Sequence, residues 1–319
     1  MAVNQNNVIK YLLLGGCDAY ERDIFKSSIA KIIRLNTPHN DFEKLLSNNQ
    51  VVHDTTALLK KDGQADFGKI FDDDQISSLI DQLQKLSCSF LSRDNGKRVA
   101  EGKLKDHSKY TDFLCHFHSL DLSRIKEIRD LIHAPNIISI AYSYFNCAPT
   151  LTDIALWQTK HNGRITGAQF FHHDRADFSH LKFFIYLTDV DEDSGPHEVC
   201  KKTHTYAELE KFYDKNFDKI QMDKDQFLEF MKRHRKNEIE VKKIFNVSTI
   251  LGKSGESFFE DTNALHRAKP PIKDRLVLEL SYNMLTRTEN NLEIAGKIDT
   301  NSSFKPIYAY VNRLVYSYD

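Results

Sequence analysis

Long hydrophobic runs are missing from this 319-residue sequence. No apolar stretch approaches the roughly 20 residues that cross a bilayer, so no membrane span is expected. The segment "YLLLGGC" (11–17) has an apolar run of only about four residues beside Lys10, whereas a secretory signal needs roughly 7–15. Net charge is missing too, since 44 Lys and Arg against 45 Asp and Glu leave −1. That balance excludes an overall basic field for nucleic acid or anionic lipid. A basic groove interleaved with aromatic side chains, as single-stranded nucleic acid requires, is also absent from the pattern. Cysteine is sparse: Cys17, Cys88, Cys115, Cys147 and Cys200 are widely spaced and form no C-x-x-C pair. A zinc ribbon is thereby excluded, and reduced thiols in a cytoplasmic protein are expected. There is no internal repeat and no low-complexity linker. What remains is an ordinary soluble composition, 40% hydrophobic and 28% charged, with 21 Phe and 13 Tyr of the kind that suits sheets.

Three regions follow one another within one structural domain. Residues 1–150 read as mainly helical. In "DDDQISSLIDQLQKLS" (72–87), Ile76, Leu79, Ile80 and Leu83 share a helical face behind an acidic start. "SRIKEIRDLIHAPN" (123–136) repeats the pattern, with Ser123 placed at its cap and Pro135 at its end. Residues 151–285 read as strands at 152–160, 167–174, 180–190, 197–204, 247–252, 256–262, 265–270 and 275–285. Turn signals separate several of them: "HNG" at 161–163, "DEDSGP" at 191–196, "GKSG" at 252–255 and "KPPIKD" at 269–274. Strands in this number predict an α+β fold built on a double-stranded β-helix, a cupin-like jelly roll. Residues 205–246 interrupt the strands with a charged segment of helical period. It reads as a solvated helical insertion, with a lid over the barrel mouth as the alternative. Residues 286–319 form a C-terminal extension expected to pack back on the body.

Chemistry concentrates in "AQFFHHDRADF" (168–178). Alternate side chains of a strand share a face, so His172 and Asp174 point one way and His173 the other. Burying imidazole and carboxylate without partners costs several kcal/mol, roughly 2–7 per unpaired polar group. A metal is one such partner. Two histidines and one carboxylate form the facial triad of non-haem Fe(II) sites, with positions left open. The second histidine would come from a distant strand, and His266 in "GESFFEDTNALHRAKPP" qualifies. Arg275 follows at the head of "RLVLELSY", where a buried arginine is costly unless it meets an anion. A dicarboxylate co-substrate would supply that anion in a two-pronged pair.

These residues resemble the phytanoyl-CoA dioxygenase family of Fe(II)- and 2-oxoglutarate-dependent oxygenases, over roughly 60–285. The resemblance is carried by "FFHHD" (170–174), "FIYLTDVDEDSGPHEVCKKTH" (184–204) and "ALHRAKPPIKDRLVLELSY" (264–282). The Gly195-Pro196 turn matches the family, but Lys202-Thr203-His204 stands where members end in Gly-Ser-His. Ala268 stands where some members place a serine that touches 2-oxoglutarate. The resemblance implies Fe(II), 2-oxoglutarate and O₂ as cofactor and co-substrates, with His172, Asp174 and His266 as iron ligands and Arg275 on the distal carboxylate. It also implies that Gln158 and Lys160, which share a face in "WQTK" (157–160), reach the co-substrate. The implied reaction is decarboxylation of 2-oxoglutarate to succinate and CO₂ coupled to hydroxylation of a small-molecule substrate. Halogenases of this kind replace the carboxylate ligand by Gly or Ala, so Asp174 favours hydroxylation.

Two other functions stay open at this point: a hydroxylase of a protein residue, docking through 205–246, and a silent jelly roll that keeps its metal for structure. Several residues also have simpler expected places. His116 and His118 in "CHFH" (115–118) share a strand face without an adjoining carboxylate. His180 and His197 read as surface turn residues. Trp157 reads as core or as a substrate platform, and His204 as either pocket or ordinary polar.

Overall fold

The computed structural model describes residues 17–37, 39–46, 49–92, 96–110, 113–159, 165, 167–175, 177–285, 296–300 and 302–318. Lys160, the turn read at 161–163, residues 11–16 of "YLLLGGC" and residues 286–295 of the tail lie outside the described residues.

The N-terminal region contributes helices α1 (Ala19–Leu35), α2 (His39–Leu45), α3 (Gln50–Asp62), α4 (Asp73–Leu83), α5 (Ser119–Arg124), α6 (Lys126–Ile132) and α7 (Pro135–Phe145). The start of α4 is set by a capping box. Asp72 Oδ1 accepts from the Gln75 amide at 2.8 Å, and Gln75 Oε1 accepts from the Asp72 amide at 3.0 Å. Ile76, Leu79 and Leu83 are buried, as their spacing predicts. The single helix expected over 123–136 is instead split. Ile125 is extended (φ −67°, ψ 130°) between α5 and α6, and the buried Ser123 hydroxyl donates to Leu120 O instead of capping. Pro135 does not end a helix but opens α7, where its missing N–H and fixed φ cost nothing.

The same region, though mainly helical, also carries strands β1 (Gln64–Lys69), β2 (Cys88–Ser92), β3 (Arg98–Gly102) and β4 (Phe113–His116). The central strands are β5 (Thr150–Thr159), β6 (Phe171–His172), β7 (His180–Tyr186), β8 (His197–Cys200), β9 (Arg235–Lys236), β10 (Ser248–Ile250), β11 (Glu256–Asp261), β12 (Leu265–Ala268) and β13 (Arg275–Asn283). Among the described residues they form an antiparallel eight-stranded sheet, β1-β11-β7-β13-β5-β4-β2-β3, and an antiparallel five-stranded sheet, β10-β8-β12-β6-β9. The fold is α+β. The inner runs β11-β7-β13-β5 and β10-β8-β12-β6 have the strand order of a jelly roll. The early strands β1 and β4 pair with β11 and β5, which would otherwise be exposed edges.

Period-2 alternation divides the molecule into layers. On β7 and β13, Leu181, Phe183, Ile185, Leu276, Leu278 and Leu280 face a large apolar core shared with α3 and α7. The opposite face turns Phe184, Tyr186 and Val277 inward, against Phe258 of β11 and Val199 and Ile250 of the smaller sheet. The outer side of the smaller sheet shows Phe171, Cys200 and Leu265 to a third core. That core is completed by helices α8 (Tyr206–Ile220), α9 (Lys224–Lys232) and α10 (Glu238–Ile244), through Leu209, Phe227, Met231 and Val241. The insertion is therefore not a solvated excursion. It backs the smaller sheet, and its strand β9 pairs with β6 (Phe171 with Lys236, His172 with Arg235). The tail, with β14 (Gly296–Ile298), α11 (Lys305–Val311) and β15 (Tyr316–Tyr318), sends Ile307, Val311, Val315 and Tyr316 into the large core.

Candidate metal centre

Strand β6 is only two residues long, and its alternation sends Phe171 to the insertion and His172 to the interior. His172 is the register partner of His266 on β12, so two imidazoles far apart in sequence meet with ring centroids 4.3 Å apart. His172 Nδ1 lies 2.9 Å from Phe170 O, and His266 Nδ1 lies 2.9 Å from Ala264 O. A carbonyl can only accept, so each Nδ1 carries the hydrogen and Nε2 is the ring nitrogen left for a ligand. The Asp174 amide donates to Thr262 O at 2.8 Å, which ties the carboxylate to the turn before β12. Asp174 Oδ1 is 3.6 Å from His172 Nε2. One ligand atom from each of His172, Asp174 and His266 lies within 4.8 Å of the others.

Electrostatics suit a cation. Burial, then the neighbouring His266, pushes His172 down to about 3, so it is neutral at ordinary pH. Burial would raise Asp174, but Lys182, followed by His266, His172 and His180, overturns that and holds it well below the usual carboxylate range. Two imidazole nitrogens and one carboxylate oxygen are the donor set that suits Fe(II) with open positions. His173 turns away, as alternation requires. It is buried, and its Nδ1 lies 2.7 Å from Asn263 O.

Arg275 opens β13 on the interior face, two residues before Val277. It is only 7% exposed, and one of its terminal nitrogens donates to Gly195 O. No carboxylate pairs with it among the described residues, and its Nε has no hydrogen-bond partner. Burial pushes its pKa down, with Tyr186 opposing. A buried, unpaired guanidinium fits an incoming carboxylate, which is the fit that 2-oxoglutarate needs. Gly195 makes the contact possible. Its φ is +67°, and a Cβ there would stand 2.6 Å from Lys269 O.

Between Arg275 and the histidines the interior holds His197 and Glu260. The His197 ring is nearly parallel to that of His266 at 5.3 Å, and its Nε2 is 2.6 Å from Glu260 Oε2. Burial pushes Glu260 up to about 8 against the pull of His266. His197, Glu260 and His266 also bring ligand atoms within 4.8 Å of one another.

Not every expected residue joins this group. Gln158 is on the opposite face of β5. Its register partner is Leu276, and its Oε1 lies 2.7 Å from His107 Nδ1, toward the large core. The reading of Gln158 as a co-substrate contact is corrected, because the register sets Arg275 opposite Thr159 and turns Trp157 and Thr159 inward instead. Lys160 lies outside the described residues. His180 and His197 are buried interior residues, 5% and 7% exposed, and not surface turns. His116 and His118 do not share a strand face, because β4 ends at His116 and His118 Nδ1 caps α5 by accepting from the Leu120 amide. His204 is buried against Gly63, and its carbonyl accepts from Arg22.

The sequence reading did not join Lys182, Glu279, His197 or Glu260 to the metal ligands. A signal was present for two of them. "HLKFFIY" puts His180 and Lys182 on the face of Phe184 and Tyr186, and "RLVLELSY" puts Glu279 on the face of Arg275 and Val277. Lys182 Nζ lies 3.1 Å from Asp174 Oδ2 and 2.9 Å from Glu279 Oε1. Burial would lower Lys182, but Asp174 and Glu279 outweigh it and hold the ammonium above its ordinary value.

No family model and no curated protein matches this chain. Solved structures similar to it include the non-heme alpha ketoglutarate dependent epimerase SnoN from nogalamycin biosynthesis (14% identity over 72% of this chain and 82% of that one, TM-score 0.47). HygX from Streptomyces hygroscopicus with nickel and 2-oxoglutarate bound is similar at 12% identity over 78% of this chain and 92% of that one, TM-score 0.47. EctD from S. alaskensis with bound Fe is similar at 16% identity over 74% of this chain and 78% of that one, TM-score 0.47. Likenesses this distant carry no argument about activity, which has to come from the side chains themselves.

Proposed function

We propose that this chain is an Fe(II)- and 2-oxoglutarate-dependent oxygenase that hydroxylates a small molecule, with His172, Asp174 and His266 as iron ligands and Arg275 as the anchor of the co-substrate's distal carboxylate. The observation that carries the reading is the convergence of two imidazoles, each with Nδ1 committed to a carbonyl, on one carboxylate. Bound Fe(II) would supply the redox chemistry that couples O₂-dependent decarboxylation of the keto acid to oxidation of a substrate C–H bond. The chain's own part is placement. His172 and His266 present their Nε2 atoms, and Asp174 supplies one negative charge. Arg275 offers a positive charge that no protein carboxylate uses among the described residues. Phe184 and Phe258 pack against the His197 ring, and Tyr186, Val199, Ile250 and Val277 complete the apolar wall on that side. Arg275 also argues against a silent structural metal site, which has no use for a buried cation awaiting an anion.

The test is anaerobic Fe(II) titration followed by 2-oxoglutarate turnover. The protein should bind about one Fe(II) per chain. His172→Ala, Asp174→Ala and His266→Ala should each abolish tight binding, while His173→Ala should retain it. Iron lost in the His173 variant but kept in the His172 variant would overturn the assignment of the inward face. Iron binding without any succinate from 2-oxoglutarate, with candidate substrates supplied, would favour the silent module.

A further inference from the structure

We propose that Lys182 is the positioning residue of the carboxylate ligand, holding the Oδ2 oxygen of Asp174 so that this side chain offers the metal a single oxygen, and that Glu279 holds Lys182 in place. The inference rests on the iron reading above.

The two oxygens of Asp174 have different surroundings. Oδ1 faces His172 Nε2 at 3.6 Å, while Oδ2 lies 3.1 Å from Lys182 Nζ and 3.7 Å from His180 Nδ1. One oxygen is on the metal side, and the other is committed to the protein. Lys182 reaches that oxygen from the inner face of β7, with its side chain 17% exposed. Glu279 on β13 fixes it from behind at 2.9 Å. Glu279 is itself pinned: Oε1 accepts from Ser281 Oγ at 2.8 Å, and Oε2 accepts from Trp157 Nε1 at 3.2 Å. The connected side chains Trp157, Glu279, Lys182 and Asp174 therefore run from β5 through β13 and β7 to the candidate ligand. Such outer partners orient a ligand and tune its metal, and their loss commonly costs about 10–100-fold in affinity. Without Lys182, Oδ2 is free to turn toward the ion, and the carboxylate would occupy a second coordination position.

The test uses Co(II) as the probe, because its visible absorption reports coordination number without turnover. Lys182→Met should weaken Co(II) binding about 10–100-fold and change the Co(II) spectrum. Because that variant leaves Glu279 buried without its cation, the double variant Lys182→Met/Glu279→Gln is made alongside it. It should fold and show the same loss of affinity and the same spectral change. Glu279→Gln alone should have a smaller effect in the same direction, and the pair should be non-additive because Glu279 acts through Lys182. A folded double variant with wild-type Co(II) affinity and spectrum would overturn the proposal while leaving the metal reading intact. Failure of the wild type to bind Co(II) or Fe(II) through His172, Asp174 and His266 is a different result, and it would sink both.

Discussion

Arg275 and Gln158 stand on neighbouring strands and face opposite ways, so only the removal of Arg275 should affect the co-substrate. Truncating one partner of a buried charge pair costs about 2–5 kcal/mol. Arg275→Ala should therefore weaken 2-oxoglutarate binding by a factor of about 30 or more, leaving Fe(II) binding nearly intact. Gln158→Ala should leave 2-oxoglutarate affinity unchanged, since its amide oxygen is engaged with His107. Titration of the visible band of the anaerobic iron complex reads both variants. Equal affinity in Arg275→Ala and the wild type would remove Arg275 from the site. At this scale the sequence was legible wherever one strand's alternation sufficed, as in the separation of His172 from His173. It was not legible for Gln158, whose facing depends on the pairing of β5 with β13.

The insertion makes the corresponding point for elements. Its charges and short apolar runs suggested a loosely held segment, but Phe227, Met231 and Val241 pack on Phe171, Cys200 and Leu265 of the smaller sheet. Phe227 is fully buried, and truncating such a side chain costs about 3–5 kcal/mol. Phe227→Ala should lower stability by that amount in chemical denaturation. Without any ligand, amides of α8 and α9 should exchange as slowly as those of β8, because the helices share a core with that sheet. Rapid exchange through both helices, with β8 protected, would favour a mobile lid. Replacing 205–246 by a short Gly-Ser bridge should impair metal binding as well. It uncovers Phe171 and removes β9, the strand that pairs with His172.

For the whole molecule, the tail is joined to the body partly through a histidine that must stay neutral. His133 Nδ1 lies 2.7 Å from Arg129 O and so carries the hydrogen, while Nε2 lies 2.7 Å from Tyr318 Oη and accepts from it. Burial lowers the His133 pKa below its ordinary 6.5, with the Arg129 carbonyl partly opposing. A histidine depressed in the folded state binds fewer protons there than in the unfolded chain. Its contribution to stability is therefore complete above about 6.5 and declines as pH falls through that value. Protonation at Nε2 would also remove the acceptor that Tyr318 uses. Proteolysis at the tail, residues 302–318, should accelerate between pH 7.5 and 5.5. His133→Leu should lose that pH step, and an unchanged step would remove His133 as its origin.

Local pattern located most of the central strands and the insertion between β8 and β10, and residue chemistry together with the family resemblance marked His172, Asp174, His266 and Arg275 as the residues to watch. Periodicity and residue chemistry act within a few positions of the chain, and those features need nothing more. Tertiary structure decided the rest. It recruited β1 and β4 from the helical N-terminal region to pair with β11 and β5, set the insertion behind the smaller sheet, and turned Gln158 toward the large core. It also joined Lys182, Glu279 and Trp157 into one polar group beside Asp174. Each of these is a pairing between segments far apart in the sequence. A strand's alternation says which residues share a face, but only its partner strands decide which face is the inside.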